Sequence, residues 1–414
     1  MKKCIKLSVL AFLSVCVLAS CGSNQDDSTA FTAGLIALHD ENSTYDKNFI
    51  EAFKQACDEE NVKYLIKTGV PESNDAYEKA IDLVESGCKF IFADSFGHEE
   101  HILKAAKEEK DVQFSHATGT KAHTENVSNF HNAFASIYEG RYLAGVAAGL
   151  KLQDMLEKGT TTSKKIGYVG AYTYAEVISG YTSFYLGAKS IVSDVTMDVQ
   201  FTGSWYDETA EKTAAETLIN KGCALISQHA DSWGAPSACE SAKIPNVSYN
   251  GSTESRCPET FIVSSKIDWV PYFKYCLQQI KKGEAIDADW TGKLGSTLTN
   301  GSVALTEFGK KATVAGTEDK INEVAEKLRN GTLQVFDTST FTVSGDNVKS
   351  TMKVDANGHV TSYLADVDTD ANYTGDTEAI ESKNGITYFA ESSKRSAPYF
   401  DITIDGINLL NSKF

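Results

Sequence analysis

The sequence predicts an α/β protein of two similar lobes, each built on a parallel sheet, and three observations predict it. The segment Lys67 to Gly97 (KTGVPESNDAYEKAIDLVESGCKFIFADSFG) reappears as Phe201 to Gly234 (FTGSWYDETAEKTAAETLINKGCALISQHADSWG). Thr68-Gly69 matches Thr202-Gly203, Gly87-Cys88 matches Gly222-Cys223, and Asp94 to Gly97 match Asp231 to Gly234. Each copy also reads as strand, loop, helix, apolar strand and polar loop, the pattern of a βαβ unit in a parallel sheet. Finally, Ile166 to Gly170 opens a second half much as Phe31 to Leu38 opens the first. Two lobes make a cleft, and a cleft points to ligand capture.

The elements follow in order. Phe31 to Leu38 (FTAGLIAL) is the first strand, followed by a polar loop from His39 to Thr44. Phe49, Ile50, Phe53 and Ala56 recur at helical spacing and make the next helix amphipathic. After the first repeat, Glu99 to Glu109 reads as a helix and Val112 to Ala117 as a strand. Ile137 to Leu152 (IYEGRYLAGVAAGLKL) is apolar nearly all round, but Glu139, Arg141 and Lys151 mark a buried helix rather than an anchor. Gly140, Gly145 and Gly149 on it permit close approach of a neighbour. In the second half, Val247 to Asn250 and Phe261 to Ser264 are short strands, and Trp269 to Lys281 is a helix. Gly283 to Gly301 is loop-rich, and Asp319 to Arg329 is the last helix. From Leu333 to Phe414 the chain changes to short alternating strands, such as those around the turn Asp355 to Gly358 (DANG).

A leader precedes this. Lys2, Lys3 and Lys6 form a positive region, and Leu7 to Ala19 an apolar stretch too short to span a bilayer. Leu18 to Gly22 (LASCG) then resembles a bacterial lipobox, in which the Cys, here Cys21, becomes the acylated first residue. The plainer alternative is an ordinary signal peptide with an incidental Cys. Gly22 to Ala30 is polar, without apolar period, and reads as a flexible tether. The expected location is the extracytoplasmic side of the cell membrane, held by lipid alone.

With 414 residues, 42% of them hydrophobic, the chain can build cores for more than one domain. Its net charge of −17, more acidic still without the leader lysines, repels nucleic acid and anionic headgroups, so neither is expected as a partner. Beyond the leader, cysteines stand at 57, 88, 223, 239, 257 and 276 with no C-x-x-C pair, which removes a zinc or thioredoxin-like site. Cys88 and Cys223 begin buried strands, where Cys acts as a small hydrophobe. Free buried thiols are expected, with disulfides open to an exported, even-numbered set.

Catalytic motifs are missing: no G-x-S-x-G, no P-loop, no G-x-G-x-x-G after a strand and no H-E-x-x-H. His98 to His101 (HEEH) stands at a helix start, where acidic residues suit the helix dipole. Asp366 to Asp370 (DVDTD) lacks the glycine of a calcium loop, with Ala371 in its place, and reads as a solvated acidic loop. No metal, cofactor or catalytic residue is expected. What the strand-end loops do carry is aromatics beside carboxylates: Tyr45-Asp46, Asp94-Ser95-Phe96, Tyr172 and Tyr174, Trp205-Tyr206 and Asp231-Ser232-Trp233. Ligands of open α/β sheets bind beyond the carboxyl ends of the strands, where these loops fall. Flat faces sandwich a ring while polar neighbours fix its edge. A lone aromatic is more often core than platform; recurrence in equivalent loops favours Tyr45 and Trp205.

At this point the chain resembles the basic membrane protein (BMP) lipoproteins, which include the purine nucleoside receptor. The resemblance runs from about Phe31 to Gly331. It rests on Ser43 to Asp46 (STYD) at the family's S-F-N place, Tyr138 to Gly145 (YEGRYLAG), Ile166 to Gly170 (IGYVG) with Phe184 to Lys189 (FYLGAK), and Thr202 to Trp205 (TGSW) followed by Asp207. The resemblance implies a type I periplasmic-binding fold: two Rossmann-like lobes joined by a hinge, here with a β-rich C-terminal extension. The expected division is 1–20 signal peptide, 21–30 tether, 31–125 first lobe, 126–248 second lobe, 249–295 and 296–332 returns to the first and second lobes, and 333–414 extension.

Carried over residue by residue, Tyr45 and Trp205 stand where the family stacks Phe on the base. Asp46 stands at a family Asn, Asn250 at the family Asp that holds ribose hydroxyls, Thr118 near an Asp reading the base edge, and Lys266 near a ribose-contacting Lys. Asn donates where ionised Asp only accepts, so the exchange at Asp46 and Asn250 implies a specificity different from the purine nucleoside receptors. The resulting ligand-binding expectation comprises Tyr45, Asp46, Asp94, Phe96, Thr118, Tyr172, Trp205, Asp231, Trp233, Asn250 and Lys266. The implied function is a solute receptor of an ABC importer, with a nucleoside or related ring-bearing molecule as ligand and a permease as partner. The alternatives are a sensory receptor of the same fold and a secreted hydrolase using Asp94 and Asp231. The repeat argues against that pair as acid and base, because equivalent loop positions explain both residues.

Overall fold

Strand and helix alternate in the computed structural model, which describes residues 31–367 and 377–413. The first run is β1 (Thr32–Ile36), α1 (Thr44–Glu59), β2 (Lys63–Lys67), α2 (Asn74–Glu85), β3 (Cys88–Ala93), α3 (Glu99–Glu108), β4 (Gln113–Ala117), α4 (Ala122–Glu125) and β5 (Phe130–Ala135). Helix α5 (Ile137–Glu157) crosses to the second run: β6 (Lys165–Gly170), α6 (Ala175–Lys189), β7 (Thr196–Phe201), α7 (Glu208–Asn220), β8 (Ile226–His229), α8 (Gly234–Ala242), β9 (Asn246–Tyr249) and β10 (Phe261–Ile267). The chain returns through α9 (Val270–Lys282) to β11 (Asp289–Gly292), then crosses to β12 (Val303–Leu305) and α10 (Thr317–Arg329). The signal peptide, Cys21, the tether and most of the Asp366–Asp370 run lie outside the described residues.

The first sheet has the order β11-β5-β4-β3-β1-β2 and is parallel throughout. The second sheet runs β12-β10-β9-β8-β6-β7 and ends on a strand from the tail; only its β10–β12 pair is antiparallel. Both sheets thus share one strand order, and the internal repeat is the β2-α2-β3 unit laid over β7-α7-β8. The repeated glycines have a backbone cause: Gly69 and Gly203 sit at φ 68° and 76°, Gly87 and Gly222 both at 86°. These left-handed values cost a side-chain-bearing residue, whereas glycine adopts them freely.

Sheet membership moves two expected boundaries. β5 pairs with β4 and β11 in the first sheet, so that lobe continues past residue 125 to Ala135. β10 pairs with β9 and β12, so the second lobe continues past 248 to Ile267. Nothing local to either strand says which sheet it joins; pairing partners distant in sequence decide. The loop-rich Gly283–Gly301 stretch likewise holds β11, whose DWTG sequence becomes a strand through pairing with Asn132 to Ala135.

α5 is buried along most of its length and crosses α6 backbone to backbone. A Cβ on Gly145 would stand 2.0 Å from the Phe184 carbonyl oxygen, and one on Gly187 2.1 Å from that of Tyr142. Gly145→Ala is therefore expected to force the helices apart and cost about 1–3 kcal/mol, the usual range for overpacking. A urea-unfolding midpoint equal to that of the unaltered protein would refute the close crossing.

The tail supplies two hairpins, β13 (Met352–Val354) with β14 (Val360–Tyr363) and β15 (Ile380–Lys383) with β16 (Ile386–Phe389). Its last strand, β17 (Ile407–Leu409), joins the second sheet parallel to β7. The extension is therefore built into the second lobe. Phe336, Phe341, Phe389 and Phe400 share one core with Tyr168, Phe184 and Met197, and Phe336 stacks on Phe400 at 4.2 Å. All six cysteines in the described residues are free and buried. Burial pushes their thiols up, Cys57 and Cys223 to about 12, so they behave as inert apolar groups.

Candidate functional site

The loop after β1 leads into α1, and Ser43 caps that helix by accepting the Asp46 N–H. Ser43 Oγ donates in return to Asp46 Oδ2 at 2.6 Å, the His39 backbone N–H to Oδ1 at 2.7 Å, and the His39 ring lies 3.3 Å from Oδ2. Burial opposes the Asp46 charge, but these hydrogen bonds prevail and hold its carboxyl below the usual aspartate range. Asp46 is thus occupied in shaping the loop as well as lining the cleft. Asp94, at the end of β3, accepts the Leu38 N–H at 3.1 Å, and Tyr45 donates its hydroxyl to the Asp94 carbonyl at 2.7 Å. Burial first, then the Asp46 charge, raise the Asp94 carboxyl well above its ordinary value.

The lobes meet at these loops. The Thr44 N–H donates to the Asp231 carbonyl at 2.9 Å, and the Asp231 N–H to the Trp205 carbonyl at 3.0 Å. Between them lies a narrow cavity, lined by Leu38, Tyr45, Asp46, Ser95, Phe96 and Thr118 of the first lobe and by Glu176, Trp205, His229, Asp231 and Tyr249 of the second. Nearly every one stands at or just beyond a strand's carboxyl end. Burial raises the Asp231 carboxyl well above its ordinary value, with the charges of Asp46, Glu211 and Glu176 adding to it and Arg141 opposing. Burial holds the His229 imidazole down at about 4, helped by Arg141, so at neutral pH the ring is uncharged and lies 3.3 Å from Glu176 Oε1.

Aromatic faces surround one end of the cavity. Tyr172 meets Trp205 edge-on at 5.0 Å and Tyr174 at 5.2 Å, while Phe96 of the first lobe stacks on Tyr174 of the second at 5.0 Å. Behind the loops stand two carboxylates. Glu72 accepts from Ser95 Oγ and the Gly97 N–H, and Glu211, pushed up to about 7 by burial, accepts the Ser232 N–H. Each fixes the loop after the third strand of its lobe. Below, the buried Arg141 guanidinium lies over the Tyr249 ring at 3.3 Å and donates to the Gln228 carbonyl.

The structure therefore brings Tyr45, Asp46, Phe96, Thr118, Trp205 and Asp231 to one cavity, with Asp94 and Tyr172 directly behind its lining. Thr118 takes φ 62°, a strained value for a β-branched residue, and Asn250 takes the same 62° at the matching place after β9. Asn250 is buried with its Nδ2 unpaired and stands next to the lining residue Tyr249. Trp233 lies outside the cavity, under the Arg256 guanidinium at 4.3 Å. Lys266 also lies outside, in β10 opposite Ala304 of β12. Leu38, Ser95, Glu176, His229 and Tyr249 were missed by a search for aromatics beside carboxylates. The strand-end rule alone signals four of them, because each adjoins the end of β1, β3, β8 or β9. His98, by contrast, is spent on the Val70 carbonyl at 2.9 Å, and Glu99 on the N–H groups of Thr120 and Lys121.

Residues 35–339 match the family described as ABC transporter substrate-binding protein PnrA-like. A purine-binding protein of Brucella abortus is 30% identical over 283 residues, 67% of this chain and 74% of that protein. A putative ABC transporter glucose-binding protein of Haloferax volcanii is 28% identical over 298 residues, 71% of each chain. An ABC transporter nucleoside-binding protein of Lactococcus lactis is 28% identical over 263 residues, 60% of this chain and 70% of the other. Among solved structures, an ABC-transporter solute-binding protein from Aeropyrum pernix superposes with a TM-score of 0.61 at 16% identity, covering 76% of this chain and 94% of its own; it supports the fold alone.

Proposed function

The chain belongs to the PnrA-like family of ABC-transporter substrate-binding proteins, and from that premise we propose that it captures a nucleoside or related ring-bearing solute between its lobes for a dedicated permease. It is a binding protein of an ABC importer, not an enzyme, so the Asp94–Asp231 pair needs no catalytic role. The observation that carries the ligand reading is the cavity itself. Trp205, Tyr45 and Phe96 offer flat faces, while Asp231, Glu176 and His229 offer polar atoms to a ring's edge or its hydroxyls. Lobe closure about the crossing segments traps the ligand, and the permease recognises the closed form. Mass spectrometry of the small molecule released from natively purified protein tests this: a nucleoside supports it, and a peptide or an acyclic solute refutes it. Incubation with inosine should return it chemically unchanged.

The same proposal includes a lipid anchor at Cys21, resting on the lipobox-like LASCG at residues 18–22. Two acyl chains give stable attachment where one is marginal. Cys21→Ser is expected to move the protein from the membrane fraction to the soluble one. A variant that stays membrane-bound would place the anchor elsewhere.

A further inference from the structure

A second chamber adjoins the cleft and owes its outer wall to the C-terminal extension. It is a partly open pocket of ≈ 290 Å³ that shares Phe96, Thr118 and Glu176 with the first cavity. Its far side is made by Asp366, Arg395, Pro398, Tyr399 and Asp401, all beyond residue 339, where the family match ends. The wall is tied to both lobes. β17 extends the second sheet, and the Ser396 N–H donates to Asp289 Oδ2 in β11 of the first at 2.8 Å.

Arg395 is the unusual group in this wall. It is 8% exposed, and its Nε and Nη2 donate to the carbonyls of Ala397 and Pro398 at 3.1 and 2.9 Å. No carboxylate among the described residues stands within ion-pair distance of it. Glu391 behind it is pushed up to about 8 by burial, which leaves little negative charge there at neutral pH. Glu391, Asp366 and Asp289 attract Arg395 from beyond ion-pair distance, so its buried charge meets only neutral carbonyls directly, a costly arrangement that a ligand acceptor would relieve. The remaining polar groups select among acceptors. Glu176, Asp366 and Asp401 face the chamber with Arg395, and Lys349 reaches Asp401 at 2.5 Å. With Asp401 held by Lys349, Glu176 and Asp366 repel a phosphate. A hydroxyl both donates and accepts, so it satisfies carboxylate, threonine and guanidinium alike.

We propose that this chamber is a second subsite, built by the extension, for a neutral polyhydroxylated, glycosyl-like group. It rests on the reading of the cleft as the ligand site, and it makes the ligand larger than a ring with one small substituent. Tyr174, Pro398 and Tyr399 supply the apolar faces on which a sugar's C–H groups pack.

The probe is methyl β-D-glucopyranoside, titrated calorimetrically into the full chain beside glucose 6-phosphate and inosine. The glucoside should bind, and bind more tightly than the phosphorylated sugar. Arg395→Met and Asp366→Asn should each weaken it about tenfold or more, the effect of losing a charge-assisted hydrogen bond. Asp366→Asn keeps the test open should Arg395→Met fail to fold. Absence of glucoside binding, tighter binding of the phosphate ester, or a loss caused by Trp205→Ala but by neither chamber variant would overturn the subsite. Inosine separates the two readings, since it should suffer more from Trp205→Ala than from Asp366→Asn. A protein that binds the glucoside as described and ignores inosine would retain the chamber and lose the nucleoside reading.

Discussion

Trp205→Ala is expected to weaken the ligand roughly tenfold to a hundredfold, because an aromatic stacked on a base contributes about 1–3 kcal/mol. The indole stands after β7, half-buried, at the cavity lining and edge-on to Tyr172. Its backbone carbonyl holds the Asp231 N–H, a bond that survives the substitution and keeps the neighbouring loop in place. Much of what is lost is therefore contact with the ligand. The indole also touches the second-lobe core, so a small fall in the apo melting temperature accompanies the loss. Calorimetry with the cognate ligand and thermal melting of the apo protein decide together. A fall in stability as large as the fall in binding free energy would make Trp205 a packing residue.

The second large effect concerns Asp231, and its sign depends on pH. The unfolded carboxyl titrates near ~3.9, whereas burial raises the folded one well above that. Between the two values the native state holds a proton that the unfolded state has lost, so stability falls as pH rises through this window. Asp231→Asn removes that loss. The apo variant should match the unaltered protein at pH ~3 and exceed it increasingly as pH rises through the window above ~3.9. Ligand affinity should move the opposite way, by about tenfold or more, because a ligand N–H or O–H loses its carboxyl acceptor. Stability gained and binding lost together are the mark of a site kept costly for its ligand. A variant that loses stability at neutral pH would show that the Asp231 carboxylate is instead structurally satisfied.

How much of this was legible before folding differs from element to element. The α5 glycines, the amphipathic α1 and the turn at Asp355 to Gly358 are local patterns, and the helices at 99–108 and 270–282 fell within a residue or two of expectation. The site was legible in outline because the strand-end rule is topological: once β1, β3, β4, β7 and β8 were placed, their following loops had to converge. Selection within those loops was weaker. Glu176 carries no local mark that separates it from surface residues, and it enters the cavity lining only because α6 places it beside His229 at the end of β8. Trp233, in a loop matching that of Phe96, turns to Arg256 instead because pseudo-symmetric loops need not present the same faces.

By itself, then, the chain's pattern of apolar periods and paired glycines determined two repeated βαβ lobes and the loops that bear the cleft. Those are consequences of spacing along one strand or helix. Tertiary structure alone decided that β5 and β10 remain with the sheets they follow, that Asp46 is spent on its own loop, and that the extension merges with the second lobe to wall a second chamber. Strand pairing, carboxyl burial and cavity walls depend on groups up to hundreds of residues apart. No local period encodes which of those groups will meet.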